Sequence, residues 1–231
     1  MNKCQLLNLT IQRMANANKG GKALPAEYQQ VEYLWSPSPG STYIKTGFVP
    51  NQRFKTVVRV QYRSQVGLVA CGSWNGTSGQ AQQTSYGVFS GSQSRNYYYY
   101  QNPRSDFSGY DAVTFAPYVN SEDVTLTEDW ITPLYKAEKS DATYTSTPND
   151  YFPTFNNNEF FLFARNQSGD PLNRGSIKIY WAKFYDSSNT LVRDYIPCYR
   201  KSDNKPGMYD LVNDTFNVSA TANEFAVGQD V

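Results

Sequence analysis

The chain has no histidine among its 231 residues, which removes the commonest general base working near neutral pH and the commonest metal ligand. No Ser-His or Cys-His mechanism can be assembled from it. Cysteine is scarce too: Cys4, Cys71 and Cys198 form neither an even disulfide framework nor a C-x-x-C metal spacing. Cys71, in GLVACGSW, and Cys198, in YIPCYR, sit in strand-like contexts, where a free thiol packs as a small apolar group. Packing is the favoured reading, with a Cys71–Cys198 disulfide as the alternative. Charge is sparse at 18% and nearly balanced at a formal +1. Lys and Arg are scattered rather than gathered in a stripe, so nucleic acid is not expected as a partner. The first 14 residues lack the apolar core and small-residue cleavage site of a secretory signal. With no run of about 18 apolar residues either, neither that export route nor a membrane anchor is expected.

What the chain has in abundance is aromatic side chains, 16% of the total with 19 Tyr, on a Ser/Thr/Asn/Gly-rich background. That composition suits many short strands joined by polar turns and argues against a helical bundle. Strand-like stretches follow at regular spacing from Tyr28: Tyr28–Trp35, Tyr43–Phe48, Phe54–Tyr62, Val66–Trp74, Ser85–Ser90, Asn96–Gln101, Asp111–Phe115, Val124–Thr127, Ile131–Ala137 and Glu159–Arg165. In F-K-T-V-V-R-V-Q-Y, Val58 and Val60 share one face and Val57 and Arg59 the other. A hairpin closes the series. Ile177, Ile179, Trp181 and Phe184 precede the turn Asp186-Ser187-Ser188-Asn189, and Leu191, Val192, Tyr195 and Ile196 follow it. A sandwich of this length commonly forms one unit, so residues 23–231 are expected to be a single all-β domain.

The hairpin also carries a resemblance. Val192-Arg-Asp-Tyr-Ile-Pro-Cys-Tyr-Arg-Lys-Ser-Asp203, followed by Gly207-Met-Tyr-Asp-Leu-Val-Asn-Asp-Thr-Phe216, is a long and specific pattern. So is Leu24-Pro-Ala-Glu-Tyr-Gln-Gln-Val-Glu-Tyr-Leu34 with Ser41-Thr-Tyr-Ile-Lys-Thr-Gly-Phe48. Together these runs resemble the concanavalin A-like (LamG-type) modules of gut-phage virion proteins and gut-bacterial surface proteins. The resemblance covers the first and last quarters of the module; residues 73–155 match only in general character. It implies a β-sandwich with a jelly-roll topology, and it assigns Arg193, Asp194, Arg200, Lys201 and Asp203 to the scaffold rather than to a site.

Catalysis is not expected. Glu122-Asp123 and Glu128-Asp129 flank a short strand and read as solvated turn charges, and the Glu-x-Asp-x-x-Glu pattern that the resemblance would supply in a laminarinase-like enzyme is missing. Asp186-Ser-Ser-Asn189 and Ser202-Asp-Asn204 offer too few oxygens for calcium, so no metal or other cofactor is expected. The candidate ligand face is tentative: Tyr97 and Tyr99, on one side of the run Tyr97–Tyr100, with Asn96 and Asn102, and Trp74 with Asn75. Rings stack on C–H-rich sugar faces, and amides satisfy hydroxyls. The competing reading is that these rings fill a sheet edge or pair across strands.

Residues 1–22 form a separate leader. Leu7, Ile11 and Met14 fit one face of a short helix, while Leu7, Leu9 and Ile11 fit an alternating strand. The residues do not choose between them. Either form can bury its apolar side on a partner. The expected function is a phage virion protein, attached by this leader to head or tail proteins and displaying a glycan-binding sandwich. The alternatives are a purely structural virion component and a bacterial surface carbohydrate-binding protein; self-association is left open.

Overall fold

The computed structural model describes residues 22–37, 42–50, 52–63, 68–74, 83–90, 96–103, 110–117, 119–147 and 157–231, with backbone alone for 83–90, 96–103 and 110–115. The leader residues Leu7, Ile11 and Met14, and Asn75 and Cys4, lie outside the described residues. Every element within them is a strand, so no helix there is long and apolar enough to cross a membrane. The strands are β1 Tyr28–Gln30, β2 Leu34–Ser36, β3 Ile44–Lys45, β4 Lys55–Tyr62, β5 Leu68–Trp74, β6 Gln83–Ser90, β7 Asn96–Pro103, β8 Tyr110–Pro117, β9 Asp123–Asp129 and β10 Leu134–Glu138. They continue as β11 Thr143–Ser146, β12 Phe161–Leu162, β13 Arg165–Gln167, β14 Asp170–Leu172, β15 Ile177–Tyr185, β16 Leu191–Arg200, β17 Lys205–Asp210, β18 Thr215–Val218 and β19 Ala226–Val227.

Two sheets face each other as a sandwich. The larger runs β11-β10-β9-β4-β15-β16-β17-β18, with β1 on β16, β2 on β15 and β19 on β2; the smaller runs β14-β13-β5-β6-β7-β8, with β12 bridging β3 and β5. Among the described pairs only β13 and β5 are parallel. Period-two alternation builds the core between them. In β4, Thr56, Val58, Val60 and Tyr62 are buried while Lys55, Val57, Arg59 and Gln61 are not. Val124 and Leu126 in β9 and Ile177, Ile179, Ala182 and Phe184 in β15 extend the same inner face against Leu68, Ala70, Cys71 and Ala116 of the smaller sheet. A bulge between Ile179 and Trp181 shifts the phase by one residue, which is why Trp181 points away from the core that Ala182 and Phe184 enter.

The C-terminal hairpin forms as the residues indicate. Asp186 Oδ1 accepts the backbone N–H groups of Ser188 and Thr190 at 2.9 Å each, and Asn189 takes the left-handed conformation at φ 60°. Arg200 grips Asp203 through Nε at 3.1 Å and Nη2 at 2.6 Å, closing the next turn. Beyond it the strands pack too closely for a side chain at Gly207: a Cβ there would lie 2.6 Å from the Asn217 carbonyl oxygen and 2.7 Å from the Phe216 ring. Gly207→Ala should therefore lower stability by about 1–3 kcal/mol in denaturant titration; an unchanged midpoint would show that β17 and β18 can separate freely.

Three readings of the sequence need correction. Tyr28–Trp35 is not one strand: β1 pairs with β16 and β2 with β15 and β19, with Val31 bridged to Asp230 between them. Glu159–Arg165 is not one strand, because Phe163 adopts φ 65° and divides it into β12 and β13. Glu128 is not a solvated turn charge. It follows Val124 and Leu126 at strand period and is 1% exposed in the core, taking a hydrogen bond from Trp130 Nε1 at 2.7 Å. Burial pushes its carboxyl up to about 8. Of its neighbours, Asp123 accepts from Gln61, Tyr180 and Arg59 on the outer face, Asp129 caps the turn at Ile131 and Thr132, and Glu122 pairs with Lys139 at 2.7 Å. Cys71 and Cys198 are buried free thiols, as packing predicts. Desolvation raises both, Cys198 to about 12.

Candidate functional site

Backbone register locates the aromatic positions singled out in the sequence. Leu68, Val88, Tyr98 and Ala116 form one cross-strand row, and Leu68 and Ala116 are in the core. Positions 97 and 99 therefore belong to the outer face of the smaller sheet, and positions 96 and 102 to the core-side face. Trp74 shares the outer face, since it pairs with Gln83 while Tyr99 pairs with Gly87 two positions of the same parity along β6. Two strands of lateral spacing and four residues of rise still separate Trp74 from Tyr99, roughly 15 Å. The aromatic positions share a face without converging, and Asn96 and Asn102 do not join them.

Trp74 is instead the edge of a different feature. Its carbonyl accepts Asn158 Nδ2 at 2.8 Å and the Ser168 backbone N–H at 3.2 Å. Those two residues line an open cleft of about 510 Å³, together with Gly47, Val49, Asn157, Glu159, Asn166 and Gly169. The Trp74 ring is half-buried, with the Arg165 guanidinium 4.4 Å from its centroid, so one face of that ring is already occupied by a cation.

Three segments build the cleft, 47–49 from far away in sequence and 157–159 and 166–169 from either side of β12. Thr46 N–H donates to the Phe160 carbonyl at 3.2 Å and Phe160 N–H to the Phe48 carbonyl at 2.8 Å, pairing residues 46–48 with 158–160. Phe48 and Phe160 then point into an aromatic cluster with Phe54 and Phe184, with ring centroids 5.1–6.1 Å apart. Their neighbours Gly47, Val49 and Glu159 are turned out into the cleft. Glu159 Oε2 accepts the Gly47 N–H at 2.6 Å. The third segment is the β13–β14 turn, where Asn166 donates to the Glu159 carbonyl at 2.9 Å and accepts the Gly169 N–H at 2.7 Å.

The C-terminal motif supports this corner from behind. Arg193 Nε donates to the Thr46 carbonyl at 3.1 Å, Nη2 to the Gly47 carbonyl at 3.2 Å, and Tyr195 Oη to the Thr46 carbonyl at 2.9 Å. Burial and the Asp210 carboxylate push the Tyr195 phenol well up, keeping it a donor. Arg193 is held by Asp210, 3.5 Å away. Asp210 also accepts the N–H groups of Asp194 and Val212 at 3.0 Å each and Asn213 Nδ2 at 2.6 Å. The "Arg-Asp-Tyr" and "Tyr-Asp-Leu-Val-Asn" runs are thus joined, and their shared task is to fix the backbone at Gly47, whose φ of 63° is one that glycine adopts without strain.

No protein-family model matches this chain, and no curated protein matches it. The cleft must be read from its own chemistry. It presents the amides of Asn157 and Asn158, the Ser168 hydroxyl, the Glu159 carboxylate and the apolar Val49, 38% exposed, while the Asn166 amide is buried and spent on Glu159 and Gly169. Planar amides and a carboxylate around an open depression satisfy a ligand rich in hydroxyls. Sequence reasoning reached Trp74 and missed the rest. The available signal was the amide-rich run Asn156-Asn157-Asn158-Glu159 set against Asn166-Gln167-Ser168-Gly169; what it lacked was any local indication that Gly47 meets Glu159.

Proposed function

We propose that this chain is a lectin-like module with a concanavalin A-like jelly-roll topology, carried on a phage virion as a head- or tail-attached decoration or fibre-type protein. The observation that carries the binding function is the cleft at the end of β5. Its lining combines the Asn157 and Asn158 amides, Ser168, Glu159 and an exposed Val49, a set matched to saccharide hydroxyls and a C–H patch. Glu159 is the one carboxylate lining it among the described residues, and glycoside hydrolysis by the usual routes takes a pair. This favours binding over turnover. The virion assignment draws on the resemblance of the runs around residues 24–48 and 192–216, with residues 1–22 as the attachment segment.

The test is a glycan array probed with the full chain and with Asn157→Ala, accompanied by a particle-assembly assay on a chain lacking residues 1–22. The full chain should bind a subset of host-surface or mucus glycans, and Asn157→Ala, at an exposed position of the lining, should weaken that binding about tenfold, the value of a hydrogen bond or two. The truncated chain should fail to enter particles. Silence from every glycan would overturn the lectin reading in favour of a component that binds only protein neighbours, and normal assembly without the leader would overturn its role.

A further inference from the structure

We infer that the cleft selects uncharged saccharides and rejects acidic ones, with Glu159 as both a hydroxyl acceptor and the repelling group. This rests on the glycan-binding reading above. The charge lining the cleft is negative: Glu159 is part of the lining, exposed Asp170 follows the lining residue Gly169, and neither Lys nor Arg lines it among the described residues. Three cations stand close by without lining it: exposed Lys45, two residues before Gly47, and Arg193 and Arg165, whose donors are engaged elsewhere. Arg193 spends its donors on the carbonyls of Thr46, Gly47 and Val192 and on the Asp210 carboxylate. Arg165 lies on the Trp74 ring and reaches Gln167 at 3.3 Å.

Glu159 cannot easily swing away. One oxygen is tied to the Gly47 N–H, and its own backbone is held through its carbonyl by Asn166 and through neighbouring Phe160 by Phe48. A carboxylate has about four lone-pair positions, so the bond to Gly47 leaves acceptor capacity for sugar hydroxyls. The neighbouring amides of Asn157 and Asn158 are planar groups that carry both donors and acceptors. A sialic or uronic acid seated there would bring a second carboxylate against the first, and like charges at close range discriminate between ligands by repulsion.

Glu159→Gln provides the test, because its amide oxygen retains the acceptor for Gly47 while the charge is lost. Array binding of wild type and variant is compared on matched neutral, sialylated, uronic-acid and sulfated glycans, with thermal melts confirming that both are folded. Wild type should bind neutral glycans only. Glu159→Gln should gain acidic glycans by about tenfold, the weight of a like charge roughly 6 Å away in a half-wet cleft. Wild-type binding of acidic glycans at or above neutral ones would overturn the inference and leave the lectin reading standing. Unchanged discrimination in Glu159→Gln would overturn the role of Glu159, and no binding by either protein would overturn the lectin reading itself.

Discussion

Asp210→Ala is expected to lower the melting temperature by about 10 °C or more. Asp210 is 1% exposed and gathers Arg193, the N–H groups of Asp194 and Val212, and Asn213. Truncation strands all of them together. Breaking a buried pair by removing one partner costs about 3–5 kcal/mol, since the remaining charge stays uncompensated, and for a domain of this size each kcal/mol moves the midpoint by about 2–4 °C. The damage should reach the cleft as well, because Arg193 positions the Thr46 and Gly47 carbonyls. Asp210→Asn also removes the charge facing Arg193 but keeps an acceptor oxygen for the Asp194 and Val212 N–H groups, so it should lose less than Asp210→Ala. Calorimetry on the three proteins checks this, and equal losses for Ala and Asn would mean that the charge itself, rather than the hydrogen-bond set, holds the corner.

The second large effect is on pH dependence. Glu128 is buried between the sheets, and desolvation raises its carboxyl from 4.5 to about 8 in the folded chain. The folded protein therefore keeps the proton that the unfolded chain releases above about 4.5. Its contribution to stability is fully present below pH 4.5, falls as pH rises through the interval to 8, and is lost above that. Each unit is worth 1.36 kcal/mol, so the full swing is about 5 kcal/mol. Glu128→Gln keeps an acceptor for the Trp130 indole N–H and removes the ionisation. The variant and the wild type should have similar stability at pH 4, and the variant should be the more stable by on the order of 5 kcal/mol at pH 9. Parallel stability curves across that range, from urea titrations, would show that Glu128 ionises without cost and that water reaches it.

Alternation made much of the framework legible. Val58, Val60 and Tyr62 face inward and Arg59 and Gln61 outward, and the polar turn at Asp186 is marked by residues whose side chains bond their own backbone. The same rule would have reached Glu128 by extending the Val124, Leu126 phase; its charge and its place beside Asp129 suggested a turn instead. Position parity along the strand likewise separates positions 96 and 102 from 97 and 99, all on β7. The cleft was less accessible for a different reason. Gly47 and Glu159 are 112 residues apart in sequence, and their meeting depends on a pairing of 46–48 with 158–160 that no local propensity specifies. The break at Phe163, φ 65°, is also tertiary in origin, since a bulky residue takes that conformation only where its surroundings impose it.

The most direct measurement is glycan binding by the full chain when the cleft is filled. Asn157 is exposed at its edge, so Asn157→Trp adds bulk to the depression without entering the core. On an array that carries both neutral and acidic glycans, the wild type should bind neutral members and Asn157→Trp should lose at least tenfold in affinity for every one of them, with its melting temperature unchanged. Binding that survives in the filled variant, or no binding by the wild type, would contradict the assignment of this cleft as the site.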